Sequence, residues 1–193
     1  MKIKLLITIC FVFTLNLLKS QEQNSYNNPS IGWSINLAKD FTNKSKGPVQ
    51  IVETKNKTEV KKEANRNSSE KSESITFQGK NKTFLFSTLE KYKSELKYSD
   101  FVKRQTDDLV EGLKKQMPKA KFEITSTQEI IDSLNFYRNE IKIDLGNNIF
   151  QNFLIYNSLI NDFNSNFLIV YLNPSTESQE LIKAFKESKF SKK

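Results

Sequence analysis

Between Pro118 and Pro174 the chain carries four long strand-like runs separated by tight-turn signals, and this stretch limits the fold more than any other feature. Residues 121–131 set Phe122, Ile124 and Ile130 on one side. Residues 134–145 align Tyr137, Ile141, Ile143 and Leu145 opposite Arg138, Glu140, Lys142 and Asp144. Gly146-Asn147-Asn148 reads as a tight turn, and a further run follows over residues 149–160. Residues 167–172 are apolar at every position, which calls for cover on both faces of that strand. Long strands joined by tight turns pair antiparallel, and a strand buried on both sides needs a layer above and a layer below.

The remaining elements fit around that sheet. Trp33, Ile35 and Leu37 alternate after Gly32, a short strand pattern, while residues 21–31 are polar and Asn-rich and read as a flexible leader. Residues 38–47 read as loop. Residues 49–64 carry Val49, Val52 and Val60 among many Lys and Glu and predict a surface helix; residues 65–73 read as linker. Residues 74–78 and 82–88 predict two strands around a Gly79-Lys80-Asn81 turn. Ser99 is a favourable N-cap for a helix over residues 100–117, with Val102, Leu109, Val110, Leu113 and Met117 on its buried face and Pro118 as its stop. Pro174 starts a closing helix bearing Leu181, Ile182 and Phe185, with Thr176 and Gln179 spaced as a capping box.

The predicted fold class is α+β: a mostly antiparallel sheet flanked by helices on both faces. The Gly32-Trp33 opening strand, the helix ending Met117-Pro118, the long meander strands and the ending Phe185-Lys-Glu-Ser-Lys-Phe190 resemble the PsbP-like α/β/α sandwich family over residues 32–190. That family includes the extrinsic subunit of photosystem II, a Ran-binding nuclear import factor and bacterial exported relatives. The resemblance implies a single binding or assembly module, and it transfers no ligand residue to this chain.

Destination is written at the start of the chain. Lys2 and Lys4 precede a run from Leu5 to Leu18 that is mainly apolar, and Ser20 offers a small residue for cleavage. That is the pattern of a secretory signal, too short for a membrane span of about 20 apolar residues. Residues 1–20 are therefore expected to be a signal peptide, giving a periplasmic or secreted bacterial protein with no transmembrane segment after cleavage. Removal takes away Lys2, Lys4, Lys19 and the only cysteine, Cys10, so the basic count falls from 30 to 27 against 22 acidic residues, a net +5. The mature chain has no thiol, and its core has to hold without disulfides.

Composition then excludes chemistries. The sequence has no histidine, so a histidine general base is absent, and ordinary zinc ligation lacks its ligands once Cys10 is gone. Five scattered glycines build no phosphate loop. Asp107, Asp108 and Glu111 lie three or four residues from Lys103, Arg104, Lys114 and Lys115, the pattern of a self-compensating helix face. Glu140 and Asp144 flank Lys142 beyond Arg138, which reads as an alternating charged strand face. Lysines cluster at Lys114, Lys115, Lys119 and Lys121 and again at Lys183, Lys186, Lys189, Lys192 and Lys193; they suit helix C-termini and could also meet an anionic envelope surface. A charge of +5 spread over an exported chain argues against nucleic acid. Four Asn-x-Ser/Thr triplets, at Asn43, Asn56, Asn67 and Asn81, are what so Asn-, Ser- and Thr-rich a chain makes by chance. No catalytic, cofactor or metal residue is assigned. The expected function is surface recognition of a protein partner by a non-enzymatic accessory protein. The alternative is a small-molecule or lipid-binding module with a pocket beneath the 49–64 helix.

Overall fold

The computed structural model describes residues 23–45 and 72–191. The signal segment 1–20, the helix expected at 49–64 and most of the 65–73 linker lie outside the described residues. Among the described residues ten strands and two helices follow one another: β1 (Gln23–Asn28), β2 (Trp33–Ala38), β3 (Thr42–Asn43), β4 (Glu73–Gln78), β5 (Phe84–Lys91), α1 (Tyr98–Gln116), β6 (Lys121–Ile131), β7 (Leu134–Asp144), β8 (Phe150–Ile160), β9 (Phe163–Leu172), α2 (Thr176–Lys186) and β10 (Lys189–Phe190). Seven strands form one sheet in the order β3-β4-β5-β9-β8-β7-β6, and three form a second in the order β1-β2-β10. Every pairing is antiparallel.

Turn chemistry fixes the register. Asp132-Ser133 joins β6 to β7 and Asn161-Asp162 joins β8 to β9, each as a two-residue loop with both residues at positive φ. Such loops match the right-handed twist of the strands they connect, and Asn and Asp tolerate the left-handed region. The second loop extends β9 back to Phe163, four residues before the start that sequence alone suggested. Asn164-Ser165-Asn166 lacks the alternation of a strand, yet each residue pairs across both neighbours.

Alternation along β7, β8 and β9 feeds two apolar clusters. Phe136, Tyr156, Phe167 and Ile169 join the larger one, with Trp33, Ile35 and Leu37 of β2 and with Leu181 and Phe185 of α2. Ile141, Ile143 and Ile155 join the smaller one, with Val110 of α1. Trp33 is fully buried, meets Tyr26 and Phe167 edge-on at 5.4 and 4.8 Å, and donates from Nε1 to Ser188 Oγ at 3.1 Å.

Four local expectations are corrected. Residues 23–28 are a strand rather than a flexible leader: every residue of β1 pairs with β2, and Tyr26 anchors the segment against Trp33 and Phe77. The main helix begins at Tyr98 with Lys97 as a cap lacking a side-chain bond, so Ser99 sits inside the first turn. Its buried stripe runs through Val102, Thr106 and Val110, and Leu109 is rotated out to 37% exposure. The cap of α2 is Ser175 with Ser178, one residue before the Thr176–Gln179 pair.

Closure of the small sheet at β10 depends on tight contacts. Gly32 has φ +64°, and a Cβ there would meet the Ser191 carbonyl oxygen at 2.2 Å. Asp132 accepts from the Phe190 backbone N–H at 2.6 Å and lies 3.4 Å from the Lys189 amine. That backbone bond, helped by the Lys189 charge and opposed by desolvation, holds the Asp132 carboxyl below its usual range. Gly32→Ala is expected to cost more than the roughly 1–3 kcal/mol of a non-glycine residue at positive φ, read from denaturant unfolding by the fluorescence of Trp33. Asp132→Asn should lower stability at neutral pH. Because the folded-state pKa is depressed, the gap from wild type should be complete above about pH 4 and close as pH falls further. A gap that is constant or widens in acid would contradict that assignment.

Candidate functional site

Three features stand out from the described surface. The first is a cleft of about 250 Å³ between α1 and the large sheet. Its sheet side comes from Thr88 and Glu90 of β5, Ile155 and Asn157 of β8, and Asn164 and Asn166 of β9; Gln105, Thr106 and Leu109 of α1 close it from above. The register explains the polarity. Thr88 stands opposite Asn166, Asn166 opposite Asn157, and Asn157 opposite Tyr137, so one polar row crosses four strands. Asn166 Nδ2 donates to Asn157 Oδ1 at 2.7 Å, and the Tyr98 hydroxyl donates to Asn164 Oδ1 at 2.8 Å. Burial, then the neighbouring phenols of Tyr92 and Tyr137, push the Tyr98 hydroxyl up and keep it a donor. Tyr92, Phe101 and Tyr137 pack around that ring at 5.3 to 6.1 Å.

The second feature is a charged cluster on the other side of β7. Arg138 Nη2 bonds Glu140 Oε2 at 2.6 Å, and Nε lies 3.9 Å from Glu129 Oε2. Lys186 of α2 holds the other oxygen of Glu129 at 2.5 Å. The Arg138 side chain is only 22% exposed, so this alternating charged strand face is partly covered. Phe136, two residues earlier on the same face, lies in the larger core and draws the charges under partial cover. Burial opposes the guanidinium charge, and Tyr156 and Glu140 outweigh it. Arg138 Nε and the Tyr156 hydroxyl are buried without a partner at hydrogen-bonding geometry. The phenol is nonetheless near enough for the guanidinium to favour its ionised form, while burial, the larger effect, pushes it up.

The third feature is the free edge of β6. All eleven residues pair one-to-one with β7, without a bulge, and nothing described pairs with the outer side. Glu123 to Gln128 are exposed in succession, and Ile124 and Ile130 are exposed at 43% and 71%.

Several residues singled out by sequence take structural partners. Lys103 bonds Asp107 and Lys115 bonds Glu111 along α1. Asp144 Oδ1 accepts from the Gly146 N–H, while Glu140 serves Arg138. Lys183 reaches Glu187 and Lys189 reaches Asp132; Lys192 and Lys193 lie outside the described residues. Among the described residues no group of acidic side chains is arranged to hold a metal ion, and no helix is long and apolar enough to cross a membrane. The cleft was not foreseen. Its one sequence signal is a pair of polar interruptions, Asn157-Ser158 and Asn164-Ser165-Asn166, around an Asn-Asp turn.

Among solved structures, the chain is similar to the solution structure of cyanobacterial PsbP (CyanoP) from Synechocystis sp. PCC 6803, with a TM-score of 0.56 and 9% identity over 90% of this chain and 95% of that one. No family model and no curated protein matches the sequence. The fold is PsbP-like. Arg138→Met removes the cation between Glu129 and Glu140, and it should destabilise the protein by roughly 1–3 kcal/mol. Double substitution with Glu140→Gln should recover part of that loss in a denaturant series, and strict additivity of the two would sink the cluster as an interacting unit.

Proposed function

We propose that this chain, a PsbP-like fold, is an exported, non-enzymatic binding or accessory protein that acts by surface recognition. The carrying observation is β6. Sheet edges in proteins are commonly blunted by bulges, proline, short length or inward charge. β6 has eleven residues, unbroken one-to-one pairing and an uncharged exposed stretch from Ile124 to Gln128; its inward charge, Glu129, lies beyond that stretch and is held by Arg138 and Lys186. An extended segment of a partner protein would add its main chain to this edge, with Ile124 and Ile130 as seats for alternate side chains. Export rests on the signal pattern of residues 1–20 and implies a periplasmic or secreted location. The layered reading, an α/β/α sandwich with a helix on each face, is supported by the division of α1 and α2 between the two apolar clusters.

An anionic envelope surface is the weaker partner, because Lys183, Lys186 and Lys189 are each occupied by an acidic neighbour. A second reading, small-ligand binding, is favoured by the cleft under α1. That cleft lies beneath α1, whereas the expected pocket was placed beneath residues 49–64, outside the described residues. Its amide lining suits a polar ligand and gives an acyl chain little apolar wall.

A photocrosslinking side chain at Thr125, with a control at Glu180 on α2, tests the edge in the native envelope. The proposal expects one discrete adduct from position 125 that is absent from 180 and lost in Ile124→Lys. The same adducts from both positions, or none from 125, would refute it.

A further inference from the structure

The amide groups of the cleft are not used up by the fold. Asn157 and Asn164 are 1% and 5% exposed. Asn157 accepts through Oδ1 from Asn166, and Asn164 accepts through Oδ1 from Tyr98. Neither Nδ2 group has a protein acceptor among the described residues, and Asn166 Oδ1 has no donor. Only Arg138 Nε and the Tyr156 hydroxyl are unpartnered and sealed from solvent among the described residues, so these two N–H pairs and this carbonyl remain open to the cleft, where water or a ligand completes their hydrogen bonds. Thr88 adds a hydroxyl, Gln105 an amide from α1, and Glu90 an exposed carboxylate at the edge.

This mixture selects a chemical class. Donors and acceptors alternate within one small volume, and a hydroxyl group serves both at once. An anion would find amide donors but no lysine or arginine among the lining, and Glu90 would repel it. A cation would find one exposed carboxylate and would face the Asn157 and Asn164 N–H groups. An acyl chain would bury those amides without a partner. Leu109 and Ile155 supply the only apolar lining, a strip suited to the C–H face of a ring, and the outward rotation of Leu109 places it there.

We infer that the cleft between α1 and the sheet binds a small neutral polyhydroxylated ligand, a single sugar ring or a cyclic polyol. The free amide protons of Asn157 and Asn164 donate to its oxygens, and Asn166 Oδ1 and Glu90 accept from its hydroxyls. This rests on the small-ligand reading of the cleft and is independent of the β6 edge.

Side-chain amide resonances of Asn157 and Asn164 in the ¹⁵N-labelled protein report directly on the site. Glucose, N-acetylglucosamine and myo-inositol are titrated to millimolar levels, with sulfate and tetramethylammonium as charged probes. The expected result is a saturable shift of both amides with at least one neutral probe. Gln105→Ala, a change at an exposed helix position, should weaken it about three- to tenfold, the worth of one hydrogen bond. Thr88→Val provides a second variant with the same expectation. A saturable response to sulfate or tetramethylammonium alone would overturn the ligand class while leaving a small-ligand cleft in place. Silence of both amides toward all five probes, or sugar shifts indifferent to Gln105→Ala and Thr88→Val, would overturn the class and the small-ligand reading together.

Discussion

Burial of Trp33 between the two sheets is the interaction on which the rest of this structure depends. Its indole meets Phe167 of the large sheet and Tyr26 of β1, and its one polar atom is matched by Ser188 just beyond α2. Truncating a buried aromatic of this size costs on the order of 3–5 kcal/mol, a large share of the stability of a domain without disulfides. Phe136, Phe167, Phe185 and Phe190 continue the same packing, with ring centroids 5.0 to 6.1 Å apart. The small sheet, the closing helix and the last strand are thus held to the large sheet by one aromatic core. Polar contacts at its margin, Asp132 with Phe190 and Glu177 with the Lys80 backbone N–H, set the docking geometry.

A core so concentrated on one side has consequences for the other. The second apolar cluster is small, built mainly on Val110, Ile141, Ile143 and Ile155. Beyond Ile155 the α1-facing surface turns polar, and the helix spans the Asn157–Asn166 row without filling it. Beyond Phe122, which still packs on that cluster, the cover of β6 ends, leaving Ile124 and Ile130 exposed on a strand whose outer side is unpaired among the described residues. Both candidate features follow from the same economy of apolar side chains. The cleft and the edge lie where the helix face has run out of partners.

The strands of the meander were legible because their side chains alternate, and alternation is enforced wherever one face is buried. β6, β7 and β8 came out within a residue or two of their observed ends, as did the faces of Trp33, Ile35 and Leu37. Polar segments recruited by pairing alone were illegible. β1 has one large apolar anchor, Tyr26, among Asn, Ser and Gln, and its strand character comes from β2 rather than from its own composition. The start of β9 was hidden in the same way, and with it the cleft, since Asn164 and Asn166 fall before the strand expected over residues 167–172. Alternation also gives the two faces of β7 without saying which meets the larger core. The side bearing Ile141 and Ile143 suggested itself, yet Phe136 and Arg138 face the larger one.

Recognition through β6 requires that its outer side be open in the free protein. Residue-resolved amide hydrogen exchange under native conditions measures this directly. An open edge predicts that alternate amides along Lys121–Ile131 exchange quickly while their neighbours, bonded to β7, are protected, and that the amides of β8 and β9 exchange only through global unfolding. Uniform protection of every β6 amide, at the level of the central strands, would mean that the edge is already covered and would contradict recognition through it.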